Sequence, residues 1–195
     1  MSDRVTQLID MFKTRDPICV SHYPVPISHP TPGQAEALME LSSIPSGVKS
    51  AALYIHIPFC DKVCPFCPFN KYVYEQGKVE SYLAVLKKEL RRLASTPYGQ
   101  YVVLESINFG GGTPTSLNAA QLVDIIAEIR KFFIVSSRAM IFVEGNPRNF
   151  TLEKMQRLTE VGLNRISVGI QTFQTHLAEK LELHHSVADS LRVVK

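Results

Sequence analysis

Residues 53–67 read LYIHIPFCDKVCPFC, an apolar and β-branched run that leads directly into three cysteines. Cys60, Cys64 and Cys67 follow the spacing CxxxCxxC, and the remaining cysteine of the chain, Cys19, stands far upstream. Three thiolates can bind three irons of a cubane iron–sulfur cluster and leave the fourth iron without a protein ligand. That open iron can bind a small molecule and pass it an electron, so the spacing favours a reactive centre over a structural one.

The cysteine cluster has two other interpretations. Zinc often binds three cysteines and one histidine, and His56 lies close to the cysteines in sequence. A disulfide is less suitable, because an odd number of thiols in a short loop pairs poorly. From the spacing alone, the iron–sulfur cluster and the zinc site both remain open.

The overall composition indicates an ordinary globular protein. The chain has 195 residues, of which 45% are hydrophobic and 20% are charged, and its formal net charge is +3. This charge is too diffuse to predict binding to nucleic acid. No apolar run is long enough to span a membrane, and the N-terminus does not resemble a signal peptide. Because clustered cysteines suit a reducing compartment, we expect a cytoplasmic protein.

Strand-like runs alternate with amphipathic helices from residue 51 onward, whereas residues 1–50 are predicted to form an N-terminal arm with a short helix over 1–16. The predicted strands are 52–57, 102–109, 139–143 and 165–170. The predicted helices are 77–95, one capped by Asn118, one between Thr151 and Gly162, and 174–183. This alternation predicts an α/β core over residues 51–195, with about four βα units and parallel strands.

Ligands of parallel sheets gather at the carboxyl ends of the strands. The cysteine loop, the Gly110–Gly112 turn, Glu144 and Gln171 all stand at such ends, so we expect them to share one edge. The N–H groups of the glycine turn can bind a carboxylate or phosphate, although a tight turn alone also needs glycine. Glu144 can pair with an ammonium group or a ribose hydroxyl, and Gln171 with an amide, a ribose or a base.

Five motifs stand in a fixed order: YIHIPFC at 54–60, the cysteine spacing, GGGTP at 110–114, EGNP at 144–147 and NRISVGIQ at 164–171. Together they resemble the radical S-adenosylmethionine superfamily, and more narrowly the branch typified by oxygen-independent coproporphyrinogen III oxidase. That branch also includes haem chaperones, anaerobic haem-opening enzymes and class C methyltransferases. The resemblance covers roughly residues 51 to 190 and implies a partial (βα) barrel.

The resemblance also implies two cofactors, a 4Fe–4S cluster and S-adenosyl-L-methionine. The amino and carboxylate groups of the latter would chelate the open iron. The reduced cluster would then break the S–C5′ bond, and the resulting 5′-deoxyadenosyl radical would abstract a hydrogen atom from the substrate.

Residue by residue, Cys60, Cys64 and Cys67 resemble the cluster ligands. Tyr54 resembles a tyrosine that touches the cofactor, and Phe66 a residue whose backbone holds the adenine; plain packing is the alternative for both. The full set of implied cofactor contacts is Tyr54, Phe66, Gly111, Gly112, Thr113, Glu144 and Gln171. No catalytic side chain is assigned. An apolar setting would shield the cluster, made of Ile57, Phe59, Val63, Phe66 and Phe69.

The sequence departs from this branch in three respects. Phe69 stands where coproporphyrinogen oxidases usually carry a further cysteine, and Leu183 where the branch often has an arginine that binds cofactor. His184 or His185 can substitute for that arginine, but we expect a surface histidine pair. The chain also has four predicted strands where the family core resembles a six-unit barrel. We therefore expect an N-terminal part of that barrel with an open edge, weakly active alone or dependent on a partner chain.

These observations predict a radical S-adenosylmethionine enzyme of oxidoreductase type, acting on a small molecule such as a tetrapyrrole. Coproporphyrinogen oxidase-like or anaerobic haem-degrading chemistry is the leading hypothesis, with flavodoxin or ferredoxin as electron donor. A haem chaperone on the same scaffold is the main alternative. The other is a class C methyltransferase or cyclopropanase acting on a natural product.

Overall fold

Four parallel strands alternate with helices in the computed structural model, which describes residues 49–194. The strands are β1 (Ser50–Ile57), β2 (Phe59–Cys60), β3 (Tyr72–Val73), β4 (Val103–Gly111), β5 (Ile134–Gly145) and β6 (Arg165–Val168). The helices are α1 (Gln76–Ala94), α2 (Pro97–Tyr101), α3 (Ala119–Phe132), α4 (Leu152–Glu160), α5 (Thr175–Lys180) and α6 (Val187–Val193). Single 3₁₀ turns span Pro114–Ser116 and Pro147–Asn149. The predictions for the arm over residues 1–48 lie outside the described residues.

The main sheet has the order β1-β4-β5-β6, and every neighbouring pair is parallel. Parallel neighbours need a crossover, and helices supply each of the three connections. The short strands β2 and β3 form a separate parallel pair that flanks the cysteine loop. This architecture confirms the predicted α/β fold of about four βα units.

One face of the main sheet packs against the helices and forms the core. Alternate strand residues point to this face and are almost completely buried, since side chains alternate along a strand. Helix α3 covers them with an apolar stripe at helical spacing. The most deeply buried residues of these elements, each at most 2% exposed, are Ile55, Ile57, Ile107, Phe109, Ile141, Val143, Leu122, Ile125, Ile126 and Ile129. The opposite face carries polar side chains such as Tyr54, Asn108 and Glu144.

The helix boundaries follow from local chemistry that the sequence predicts. Asn118 and Gln121 form a reciprocal capping box at the start of α3. The Thr151 side chain accepts a hydrogen bond from the Lys154 N–H at the start of α4. Gly162, with φ 93°, ends α4 in the left-handed conformation expected of a C-terminal glycine.

Three elements differ from the sequence-based prediction. Strand β5 begins at Ile134 rather than residue 139, because Ile134 and Val135 continue the ladder on Val103 and Leu104. Strand β6 ends at Val168, before a turn that places Gln171 at φ 65°. Helix α5 is correspondingly shorter than the predicted 174–183. Among residues 49–194, no helix has the length and hydrophobicity to cross a membrane.

We predict that Gly162→Ala destabilises the protein by about 1–2 kcal/mol, because an L-residue in the left-handed region is strained. The new Cβ would also lie 2.6 Å from Nη2 of Arg130. Gly77→Ala is the matched control, since a Cβ at Gly77 in α1 meets nothing within 4 Å. That substitution should leave stability unchanged or raise it by up to about 1 kcal/mol. Urea unfolding measures the free energy of unfolding of both variants, and an equal loss of stability in the two would contradict the prediction.

Candidate metal and cofactor site

The carboxyl ends of the four main strands bring the predicted site residues to one edge of the sheet. The cysteine loop leaves β1, the glycine turn ends β4, Glu144 lies next to the last residue of β5, and Gln171 follows β6. The register pairs Ile57 with Gly111 and Gly145 with Val168. All four segments therefore end at the same level, as the sequence predicted.

The base of the cysteine loop is fixed by main-chain hydrogen bonds on both sides. From the glycine turn, the Gly112 N–H donates to the Ile57 carbonyl at 2.9 Å and the Thr113 N–H to the Phe59 carbonyl at 2.8 Å. On the other side, the Tyr72 N–H donates to the Pro58 carbonyl at 2.7 Å. The position of the loop is thus set by the two strands, because β1 and β4 continue their contact beyond the sheet.

Gly112 has no room for a side chain because the cysteine loop lies against it. A Cβ there would lie 2.9 Å from both the Cys60 Sγ and the Phe59 carbonyl oxygen, closer than real Cβ contacts. The next residue, Thr113, donates its hydroxyl to the Cys60 Sγ at 3.3 Å. The glycine turn therefore makes direct contact with the first of the three thiols.

The other two glycines of the turn make room for residues of the opposite sheet face. A Cβ on Gly110 would meet the Tyr54 hydroxyl at 2.8 Å and Oε2 of Glu144 at 3.1 Å, so these two side chains converge over Gly110. Gly111, with φ 114°, lies against the imidazole ring of His56. The chain's own side chains occupy the space over these two glycines, and ligand binding at the turn stays a prediction.

The three thiols are free and differ in how deeply they are buried. Cys60 is buried, whereas Cys64 and Cys67 are half-buried. Cys64 and Cys67 bracket a tight turn, in which the Cys67 N–H donates to the Cys64 carbonyl at 3.2 Å. Lys71 then donates its ammonium group to the Cys67 carbonyl at 2.7 Å. The loop thus presents three thiols on an ordered backbone.

Burial raises the pKa of the Cys60 thiol, and the neighbouring Cys67 and Cys64 thiolates raise it further. The Thr113 hydroxyl opposes this, because it donates a hydrogen bond to the sulfur. Burial likewise raises the pKa of Cys64, with Cys67 again adding to the effect. Three thiolates at this place therefore favour a cationic group that offsets their desolvation and mutual repulsion.

Zinc and a cubane cluster make different demands on the positions of the three thiols. Within residues 49–194, no three or more His, Cys, Asp or Glu side chains converge on the position of one metal ion. A tetrahedral zinc ion would require its ligands to do so, at about 2.3 Å from each sulfur. The irons of a cubane lie at separate corners, so its three ligands need not converge.

His56 does not join the thiols, although the zinc interpretation needed it. Its ring lies over Gly111, and its Nδ1 is 3.4 Å from the Tyr54 hydroxyl. Its Nε2 is buried and has no hydrogen-bond partner among the described residues. Since buried polar atoms normally have a partner, the site has a donor or acceptor position that a ligand can satisfy.

The five apolar residues expected to shield the cluster differ in exposure. Ile57 and Phe59 are buried. Val63, Phe66 and Phe69, which lie on the cysteine loop, are exposed at 42%, 43% and 37%. That all five residues cover the cluster stays a prediction.

The expectation of a surface histidine pair is wrong for His185. Its side chain is 7% exposed, and both ring nitrogens have hydrogen-bond partners, Asn146 and the Ile170 carbonyl. His184 is half-buried and lies 3.1 Å from the Arg148 guanidinium. Nothing local distinguishes the two histidines, because they are adjacent in the sequence.

Comparison with known proteins identifies the family. Residues 54–195 match the model of the Radical SAM superfamily, and the chain therefore belongs to that superfamily. Its members generally use S-adenosylmethionine and a 4Fe–4S cluster.

The chain is 42% identical over 144 residues to the haem chaperone HemW of Bacillus subtilis, an alignment that covers 73% of this chain and 37% of the relative. It is 40% identical over 123 residues to the oxygen-independent coproporphyrinogen III oxidase of Salmonella typhimurium, an alignment that covers 63% of this chain and 26% of the relative. The solved structure of coproporphyrinogen III oxidase (HemN) from Escherichia coli, a radical SAM enzyme, superposes with a TM-score of 0.72 at 31% identity, covering 82% of this chain and 36% of that one. The chain thus spans roughly a quarter to two fifths of these relatives.

We predict that, without metal, Cys60 is alkylated by iodoacetamide more slowly than Cys67 near pH 8. Only the thiolate reacts, and the raised pKa of Cys60 keeps its thiol protonated until the pH rises further. The Cys60 rate should therefore still be increasing above pH 9. Peptide mass spectrometry after timed quenching measures each site. Thr113→Val should slow Cys60 further, because it removes the hydrogen bond that lowers the pKa; equal rates at the three cysteines would contradict this account.

Proposed function

We propose that Cys60, Cys64 and Cys67 bind a 4Fe–4S cluster whose fourth iron is open to S-adenosylmethionine. The observation that carries this is the arrangement of three free thiols beside the glycine turn, in a chain of the radical SAM superfamily. The donor set fits the group, because three free, soft thiolates can bind three irons of a cubane and leave the fourth iron open.

When bound, the cluster supplies the electron that cleaves the sulfonium and produces a 5′-deoxyadenosyl radical. The chain's own residues bind and orient the cofactor. Gly111, Gly112 and Thr113 offer a turn at the methionine end, and the buried His56 Nε2 offers a hydrogen-bonding atom beside it. Each group is fixed by packing before the cofactor arrives, so little ordering cost remains.

Polar and aromatic groups around this turn complete the proposed binding site. Glu144 and Tyr54 converge over Gly110, where a carboxylate and a hydroxyl can bind an ammonium group or a ribose. Gln171 presents its amide at the end of β6. Phe66, exposed in the turn between Cys64 and Cys67, would hold the adenine through its backbone.

We propose further that the protein is a radical enzyme acting on a tetrapyrrole, with flavodoxin or ferredoxin as the electron donor. The similarity to a coproporphyrinogen III oxidase supports this class of substrate. A haem chaperone is the second candidate, favoured by the similarity to HemW and by Phe69 and Leu183, which depart from the oxidase pattern. Methyl transfer or cyclopropane formation on a natural product is the third.

Anaerobic reconstitution with iron and sulfide tests the cluster. We expect about four irons and four sulfides per chain with a brown chromophore, since the donor set fits one cubane. Cys64→Ser and Cys67→Ser should each lose most of this iron. Cys19→Ser is the matched control and should retain it, because Cys19 stands outside the motif. Stoichiometric zinc without the chromophore would contradict the proposal.

Cofactor binding tests the role of Glu144. We predict that Glu144→Gln in the reconstituted chain weakens S-adenosylmethionine binding about tenfold, because a charged hydrogen bond contributes about 1.5 kcal/mol or more. Glu153→Gln, an exposed change in the first turn of α4, is the control. Anaerobic calorimetry measures the S-adenosylmethionine affinity of both variants. Equal affinities would show that Glu144 does not bind the cofactor. Release of 5′-deoxyadenosine with dithionite would support the enzyme, whereas stable haem binding without turnover would support the chaperone.

A further inference from the structure

His185 is a buried histidine whose two ring nitrogens bridge the ends of two strands. Its Nε2 lies 3.0 Å from the carbonyl oxygen of Ile170, which follows β6. Its Nδ1 lies 3.1 Å from the side-chain amide nitrogen of Asn146, which follows β5. The ring therefore connects the two strand ends that carry Gln171 and Glu144.

The partners of His185 determine its tautomer. The Ile170 carbonyl can only accept, so Nε2 must carry the proton. The Asn146 Oδ1 accepts a hydrogen bond from the Arg148 N–H at 3.0 Å, which turns the NH₂ end of this amide toward the ring. Since an NH₂ group can only donate, Nδ1 must accept. The neutral Nε2–H tautomer satisfies both contacts, whereas a proton on Nδ1 would set two donors against each other.

The Ile170 carbonyl that His185 binds also closes a strained turn. The Thr172 N–H donates to this oxygen at 2.8 Å across Gln171, whose φ is 65°. A hydrogen bond between residues two apart across a positive φ defines the rare, strained form of γ-turn. A non-glycine residue in such a conformation is strained and persists only where its surroundings hold it. His185 supplies a second hydrogen bond to the atom that closes the turn.

The turn determines where the Gln171 amide lies. Its Nε2 is 3.4 Å from the Cβ position of Gly169, so the side chain folds back over the end of β6. The Gly169 N–H in turn donates to the Gly145 carbonyl at 2.9 Å, next to Glu144. Gln171 thus faces the proposed cofactor site only while the turn keeps its form.

We propose that His185 is a positioning residue: as the neutral Nε2–H tautomer, it holds the strained turn at Gln171 and keeps that side chain beside the end of β5. The role assigned to Gln171 rests on the proposed function, whereas the tautomer and the hold on the turn do not. His185 acts through Ile170 and Asn146 and needs no contact with cofactor.

The tautomer is tested on the unmodified, full 195-residue chain by long-range ¹H–¹⁵N correlation spectra of the imidazole rings at neutral pH. The His185 signals are assigned by their absence from His185→Gln. We expect the pattern of a single Nε2–H tautomer. A Nδ1–H tautomer, or an averaged pattern of both, would overturn the proposal without reference to any ligand.

The hold on the turn is tested with two substitutions at His185 and one control. His185→Phe keeps a ring but removes both hydrogen bonds, whereas His185→Gln retains an N–H donor for the Ile170 carbonyl. His176→Phe, on exposed α5, is the control. Hydrogen exchange of the Thr172 amide should be about fivefold to tenfold faster in His185→Phe, near wild type in His185→Gln and unchanged in the control, since His185→Phe loses the second hydrogen bond to the carbonyl that closes the turn.

Cofactor affinity of the reconstituted variants separates positioning from mere stability. We expect His185→Phe to weaken S-adenosylmethionine binding about tenfold and His185→Gln to recover most of it. If His185→Gln behaves like His185→Phe in both measurements, or if His185→Phe changes neither, the proposal is wrong. If the wild-type chain binds no S-adenosylmethionine, the proposed function fails, and the exchange rates and the tautomer still decide the role of His185.

Discussion

The continuation of the β1–β4 ladder past the end of the sheet is the constraint on which the candidate site depends. Beyond the last paired residues, the Gly112 and Thr113 N–H groups donate to the Ile57 and Phe59 carbonyls. These two hydrogen bonds bring the glycine turn against the cysteine loop and leave no room for a Cβ at Gly112. A register shift of one residue would turn the side chains of β1 to the other face of the sheet and separate Cys60 from Thr113. The parallel register thus links the fold to the chemistry of the first thiol.

The electrostatics of the loop follow from this packing. Because Cys60 is held against the sheet, its thiol loses solvation and its pKa rises, while Cys64 and Cys67 add repulsion. The Thr113 hydroxyl opposes this rise in pKa most strongly, and the Lys71 ammonium group opposes it to a smaller extent. The loop therefore stabilises the thiolate form poorly by itself. A cationic group bound by all three sulfurs would favour the thiolates over the protonated thiols. Folding and metal binding are expected to be coupled here, as in other sites whose ligands must be deprotonated to bind.

Regular features of the fold were predictable from the sequence, and features that depend on tertiary contacts were not. Alternating strands, the Asn118 capping box and the Gly162 terminus rest on local chemistry, and the structure confirms them. The early start of β5 was hidden because the polar residues 136–138 interrupt its apolar pattern. His185 lies next to another histidine, so nothing local marked it as buried. Its role arises from two strand ends that are distant in sequence.

At Phe69, where the sequence departs from the oxidase pattern, main-chain contacts hold the backbone. Lys71 donates its ammonium group to the carbonyls of both Cys67 and Phe69, at 2.7 Å and 3.0 Å. The chain after the last thiol is therefore held by its main-chain atoms, and this fixation makes no use of the side chain at position 69. A cysteine there would add a fourth thiol near the rim, whereas phenylalanine adds an exposed apolar ring and no metal ligand. The proposed ligand set of Cys60, Cys64 and Cys67 does not include position 69, so this departure would change what approaches the rim and leave the proposed cluster ligands as they are.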